Sequence, residues 1–270
     1  MNANKTPVAS SRLRALMPTA LLGLGLAWQA PASAMEMSGN WEPDGEDVGY
    51  QVNGEAFTGY LSPAVGESRG TVLVIHDWDG IDDYERKRAD MLAEMGYDAF
   101  AVDLYGKGNR PQETGAKKAE TQRLYQDRER MQRLTRAGLD FAREQGVAEE
   151  TVVMGYCFGG AVVLEAARNG LIDQARGFAT FHGGLGTPEG QSWSDPGAPL
   201  LIAHGGADSM ISMTDVATLA GELEAVGATY TIEVYSGAPH AFTVFDTGRY
   251  QQRADEQSWA AFTGLLERAF

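Results

Sequence analysis

The chain has a single cysteine, Cys157, among 270 residues. An internal disulfide is therefore excluded, and the fold must rest on buried apolar surface. A chain this long buries roughly 75% of what unfolding would expose, so it needs no covalent staple. Positive charge is also scarce. Lys and Arg number 22 against 37 Asp and Glu, a net charge of −15, and only five of the basic residues are Lys. Such an acidic surface argues against nucleic acid and anionic membrane as partners. No apolar run reaches the roughly 20 residues of a membrane span. The four His form no H-x-H or H-x-x-x-H pair, so no metal centre is expected, and no cofactor either. The remainder is ordinary: 43% hydrophobic and 22% charged residues, which excludes a disordered or collagen-like chain.

Residues 1–34 read as a secretory signal peptide. Lys5, Arg12 and Arg14 form a positive start with no acid among them, Leu16 to Trp28 is mostly apolar or small, and Ala32-Ser33-Ala34 is an A-x-A cleavage site. Pro18 interrupts the run, which is too short for a membrane anchor. No Cys follows the cleavage site, so a lipoprotein is not expected. Removal of this segment leaves 19 basic against 37 acidic residues, a net charge of −18. The mature chain is expected in the periplasm or secreted, as a single domain over 35–270 and as a monomer. Exported proteins usually pair their cysteines, so a lone Cys there is either a small buried hydrophobe or a reactive thiol.

Beyond residue 46 the pattern alternates between strands and helices. Two short alternating runs flank Asn53-Gly54, a hairpin signal. A continuous apolar run at Thr71–Ile75 reads as a strand buried on both faces, and Ala99–Asp103, Thr151–Gly155, Phe178–Phe181, Leu200–Ala203 and Tyr230–Tyr235 read as further strands. Helical patterns are expected over Asp83–Met95, Thr121–Gln145, Phe158–Arg168, Thr214–Val226 and Ala254–Ala269, with a loop over 106–116. This alternation predicts an α/β fold: a mostly parallel central sheet with helices on both faces and an N-terminal antiparallel hairpin.

In such folds ligands sit outside the carboxyl ends of the strands. The most informative strand end is G-Y-C-F-G-G at 155–160. A nucleophile on a sharp strand-to-helix turn needs small neighbours, and Gly155 and Gly159 supply them. The helix start beyond Cys157 favours a thiolate. The competing reading is a structural Cys in a glycine-rich turn. A triad in this architecture runs nucleophile, acid, base along the chain. Asp208 and His240 follow in that order, each just after a strand. His76, His182 and His204 also lie near strand ends, but His240 occupies the last strand-to-helix loop. Asp215 falls inside a helix and is the weaker acid. Trp78, Tyr105, Phe242 and Phe245 are candidate walls of an apolar pocket.

These motifs, G-Y-C-F-G-G, H-G-G-A-D and G-A-P-H-A-F, preceded by V-I-H-D-W-D-G-I and V-D-L-Y-G-K-G, resemble the dienelactone hydrolase family over about Asp47 to Phe270. The resemblance implies an α/β-hydrolase fold and a Cys-Asp-His triad that opens esters and lactones through a thioester acyl-enzyme. By position Cys157 is the nucleophile, Asp208 the acid and His240 the base. The backbone N–H groups of Trp78 and Phe158 form the oxyanion hole. Family members hold their thiol in reserve with a Glu, and Asp77 stands at that place. They bind a substrate carboxylate with an Arg four residues after the catalytic His, and Val244 stands there. Arg249 and Arg110 are the nearest replacements.

The expected function is hydrolysis of a small-molecule ester or lactone, carboxymethylenebutenolidase-like, with His240 keeping Cys157 as thiolate. A broad carboxylesterase or thioesterase is the alternative. A non-catalytic binding or stress protein on the same fold, and a redox protein using Cys157, are further readings. The intact triad speaks against the former, and the lack of a second Cys against the latter. The export reading is checked directly: N-terminal sequencing of the exported protein is expected to begin at Met35, and a chain retaining residues 1–34 would contradict it.

Overall fold

A computed structural model describes residues 41–270. The expected signal peptide lies outside the described residues. The described chain forms eight strands and six helices. In chain order these are β1 Glu46–Val52, β2 Glu55–Ser62, β3 Thr71–Ile75, α1 Asp83–Glu94, β4 Asp98–Val102, α2 Thr114–Gln126, α3 Arg128–Glu144, β5 Thr151–Tyr156, α4 Phe158–Arg168, β6 Ala175–Phe181, β7 Leu200–Gly205, α5 Met213–Val226, β8 Tyr230–Tyr235 and α6 Gln252–Ala269. The strands make one sheet in the order β1-β2-β4-β3-β5-β6-β7-β8. The first two strands are antiparallel and β2 joins β4 antiparallel, whereas every pair from β4 to β8 is parallel.

The hairpin turn forms because Asn53 and Gly54 both take positive φ, 52° and 83°. Those are the two central positions of the turn whose twist matches paired strands. The inner strands are buried on both faces, and their period of two splits the core into two layers. Leu73, Ile75, Phe100, Val102, Val153, Phe178 and Ile202 face α3, α4 and α5. Val72, Val74, Ala101, Met154, Phe181 and Ala203 face α1 and α6.

One expected helix is two. The run over Thr121–Gln145 breaks at Asp127, with φ −122° and ψ 75°, and α2 begins earlier, at Thr114 inside the expected loop. No Gly or Pro marks the break. Instead the Asp127 carboxylate caps α3, accepting the Arg130 N–H at 2.9 Å, which satisfies a helix-start donor that has no partner within the helix. No helix among the described residues is long and apolar enough to cross a membrane.

Candidate active site

Cys157 lies between β5 and α4 with φ 49° and ψ −107°, a conformation that L-residues rarely adopt. The turn holds because its neighbours lack side chains. A Cβ on Gly159 would meet the Ile75 carbonyl oxygen at 2.3 Å, and one on Gly155 would meet the Gly159 backbone at 2.5 Å. The Cys157 N–H is tied to the Phe181 carbonyl at 3.0 Å. The strain is thus held in place by packing on either side.

Asp208 follows β7 and His240 follows β8. One Asp208 oxygen accepts the N–H groups of Met210 and Ile211, at 2.8 and 3.0 Å. The other faces His240 Nδ1 at 2.8 Å, and His240 Nε2 lies 3.1 Å from Cys157 Sγ. Three loops therefore bring together the three residues expected from the sequence. Burial works to raise the Asp208 pKa, but the bonds from His240 and the two N–H groups outweigh it and hold it below the ordinary value. The ionised Asp208 fixes the proton of His240 on Nδ1 and leaves Nε2 free to accept. Asp215 is spent elsewhere, in a capping box with Ser212 at the start of α5.

Asp77 is buried beside the thiol. Its carboxylate accepts the Trp78 N–H and contacts the Cys157 thiol. Burial, then the charge of Asp79, pushes Asp77 up to about 7. Burial and the Asp77 carboxylate push the Cys157 thiol well above its usual range, against the Phe158 N–H, which points to Sγ and works to lower it. Of the two expectations for the resting sulfur, a thiolate kept by His240 and a thiol held in reserve by Asp77, burial and the Asp77 carboxylate favour the thiol. The helix start and His240 do not overcome desolvation and a neighbouring anion.

The loop carrying Asp77 is itself fixed. Its N–H donates to Glu85 Oε1 at 3.1 Å, and its carbonyl accepts from His76 Nδ1 at 2.6 Å. His76 Nε2 in turn accepts the Leu104 N–H at 3.2 Å. Sequence reasoning missed Glu85. Its spacing from Asp82 is a capping-box signal for α1, and the structure forms that box. Nothing in the spacing shows that its second oxygen reaches Asp77.

The expected pocket walls divide. Phe245 is almost buried and lines a cleft of about 570 Å³ with Trp41, Ile81, Tyr84, Arg110 and Val244. Tyr105 instead packs its ring on His76 and Phe158 and donates its hydroxyl to the Trp78 carbonyl at 3.1 Å. Phe242 is fully buried against Tyr235 and His182. Both are core residues, drawn in because a large apolar ring gains more from packing than from lining an open loop. Trp78 is partly buried under the Lys117 ammonium, which also pairs with Asp79 at 2.9 Å. Tyr125, missed in the sequence, packs its ring on Phe158 at 5.4 Å and borders a second cleft, of about 310 Å³. Arg110 is committed to the Ile81, Asn109 and Thr58 carbonyls, and Arg249 is exposed. No cluster of metal-ligating side chains occurs among the described residues.

Residues 57–270 match the model of the dienelactone hydrolase family. A Bradyrhizobium protein named "Probable 2-oxo-3-(5-oxofuran-2-ylidene)propanoate lactonase" is 26% identical, over 80% of this chain and 90% of its own. An Escherichia coli protein, provisionally named a carboxymethylenebutenolidase, is 28% identical over 70% of this chain and 73% of its own. A crystal structure described as a dienelactone hydrolase-like promiscuous phosphotriesterase from metagenomic libraries superposes with a TM-score of 0.76 at 25% identity, covering 84% of this chain and 98% of that one. Thermogutta terrifontis esterase 2, at 19% identity and a TM-score of 0.59 over 83% and 94% of the two chains, shares the fold.

The position of Asp77 has a measurable consequence. In the unfolded chain its carboxyl ionises near 3.8, in the folded chain near 7. Between those values the folded protein keeps a proton that the unfolded one releases, so this group lowers stability as pH rises across the window. Asp77→Asn is expected to raise the melting temperature more at pH 8 than at pH 5. It should also speed alkylation of Cys157 by iodoacetamide near neutral pH, since the anion opposing the thiolate is gone. Equal gains at both pH values and an unchanged alkylation rate would contradict the assignment.

Proposed function

Because the chain belongs to the dienelactone hydrolase family and resembles proteins named as a lactonase and a carboxymethylenebutenolidase, we propose that it cleaves a small ester or lactone through Cys157, His240 and Asp208. The observation that carries this reading is the continuous chain Asp208–His240–Cys157, with links of 2.8 and 3.1 Å. Nucleophile, base and orienting acid are each within hydrogen-bond reach of the next.

In this mechanism His240 Nε2 takes the thiol proton as Sγ attacks the carbonyl carbon. The Phe158 and Trp78 N–H groups receive the oxyanion. Both are engaged in the substrate-free site, Trp78 with Asp77 and Phe158 with Sγ. Substrate entry must therefore displace the Asp77 carboxylate, which also releases the thiol to His240. Collapse of the tetrahedral intermediate expels the alkoxide, and the His240 imidazolium protonates it. In a lactone this oxygen stays tethered to the acyl group. His240 then deprotonates a water that attacks the thioester, and the acid leaves as Sγ regains its proton.

The cleft formed by the loops after β3 and β8, the loops that also carry Asp77 and His240, supports a neutral substrate. Asp79, Asp82, Asp83 and Asp246 line it against Arg86 and Arg110. Arg110 is occupied, and Arg86 pairs with Asp47 at 3.1 Å and Asp83 at 3.4 Å. A substrate carboxylate would meet excess negative charge with no free bidentate partner.

Two measurements test the reading. On 4-nitrophenyl acetate, Cys157→Ala is expected to abolish turnover in a folded protein. His240→Ala should cost on the order of 10³-fold or more and Asp208→Asn less than the loss of Cys157; parent-like rates in Cys157→Ala or His240→Ala reject the triad. In a separate comparison, kcat/KM for a neutral lactone should exceed that for a dienelactone carboxylate, and the reverse order would overturn the neutral-substrate assignment alone.

A further inference from the structure

We propose that His182 is a positioning residue for His240, clamped by Thr243 and Tyr84. The inference rests on the catalytic reading of His240. His182 follows β6, its N–H continuing the ladder to the Ala203 carbonyl at 2.8 Å. Its φ is 42°, in the left-handed region, which a side chain of this kind occupies only when its surroundings dictate it. The ring is fully buried. Its Nε2 lies 2.8 Å from Thr243 Oγ1, and that oxygen lies 2.6 Å from the Tyr84 hydroxyl. The Thr243 carbonyl accepts from Arg88 at 3.1 Å. This clamp reaches from α1, through the loop after β8, to the end of β6.

The His182 ring meets the His240 ring edge to face, with centroids 5.4 Å apart at 65°. Phe242 backs it at 5.4 Å and Tyr156 at 6.0 Å. The titratable and charged groups facing it are His240, Asp208, Arg88, Tyr84 and Tyr156. Burial, followed by the charge of His240, holds its pKa well below the ordinary value, so it stays neutral.

The need for such a residue follows from geometry. The bond to Asp208 fixes one atom of the His240 ring, and the ring can still pivot about it. A pivot moves Nε2 away from Sγ. A second rigid wall removes that freedom, and its neutrality lets His240 accept a proton without repulsion. A purely structural role accounts poorly for the choice of residue. His182 Nδ1 is buried with no hydrogen-bond partner, a loss that an apolar ring would avoid. What histidine adds over phenylalanine is the Nε2 tether to Thr243, which fixes the ring plane.

His182→Phe keeps the packing and removes the tether; Thr243→Val removes it from the other side at nearly constant volume. On 4-nitrophenyl acetate both are expected to lower kcat by about 10- to 100-fold, the scale of a small misplacement of a catalytic group, with KM within about twofold. Thr243→Ser, which keeps the hydroxyl, should restore most of kcat. The double variant should cost little more than the worse single one, since the two act as a unit. Folded variants with parent kcat overturn the proposal. So does a loss of kcat that only tracks a lower melting temperature, or one that Thr243→Ser fails to rescue. If His182→Phe fails to fold, Thr243→Val decides alone. Cys157→Ala in the same assay separates the two readings: activity there refutes the triad, whereas its loss alongside an active His182→Phe refutes only the clamp.

Discussion

At Gly159 the first turn of α4 lies against the carbonyls of Ile75 and His76, so close that no side chain fits. This approach ties the end of β5 to the end of β3, and the remaining geometry of the site follows from it. The loop after β3 cannot move away from the turn that carries Cys157. Asp77 and Trp78 are therefore held beside the sulfur. β3 and β5 are neighbours in the sheet, so their carboxyl ends are already adjacent. What glycine adds is the last stretch of approach, which brings backbone N–H groups from two separate loops around one atom.

The Cys157 proton faces two acceptors, the Asp77 carboxylate and His240 Nε2. Asp77 sits in a buried setting that opposes its own charge, with Asp79 adding to the opposition. Glu85 does not relieve it, being buried itself and pushed well above the carboxylate range, first by burial and then by Asp82. The two carboxyl groups are held together by backbone donors rather than by cations: Glu85 accepts the Asp77 and Asp82 N–H groups. An acidic group near neutrality beside a thiol makes the resting site poor at ionising its nucleophile. Buried, polar and strained features gathered at one place are what a functional site retains at a cost in stability.

Much of this was legible in the sequence because local chemistry and long-range geometry agreed. Asn53-Gly54 specifies its turn by backbone conformation alone. The glycines around Cys157 report a steric need that only the strand–turn–helix crossing creates. The order Cys157, Asp208, His240 needed only the rule that strand ends gather. The misread features share a different origin. Asp127 breaks a helix through a side-chain cap, which a periodicity reading passes over because the apolar positions continue on both sides. Tyr105 and Phe242 sit in loops, and a loop position does not say whether its ring turns outward or into the core. The thiolate expectation rested on a helix start and a histidine visible in the chain; the thiol held by Asp77 was expected from the family resemblance, and the burial that favours it is not visible in a sequence.

The occupied state of the two N–H groups proposed as oxyanion donors addresses a difficulty that any enclosed site faces. Two N–H groups aimed at a future anion would be buried donors without partners until substrate arrived, and each such donor is expensive to leave bare. Here the Trp78 N–H is satisfied by Asp77 and the Phe158 N–H by Sγ itself. In the proposed mechanism both stand-ins withdraw in the same event. Sγ moves onto the carbonyl carbon, and the carboxylate gives way to the incoming oxygen. The donors exchange one anionic or polarisable partner for another, so the difference in their stabilisation, not its whole, acts on the transition state. A shorter acid than Glu sharpens this exchange. Asp77 bonds the N–H of the next residue in the chain, a contact that a short side chain reaches without reordering the loop. Its departure therefore frees the donor while His76 and Glu85 keep the backbone in place.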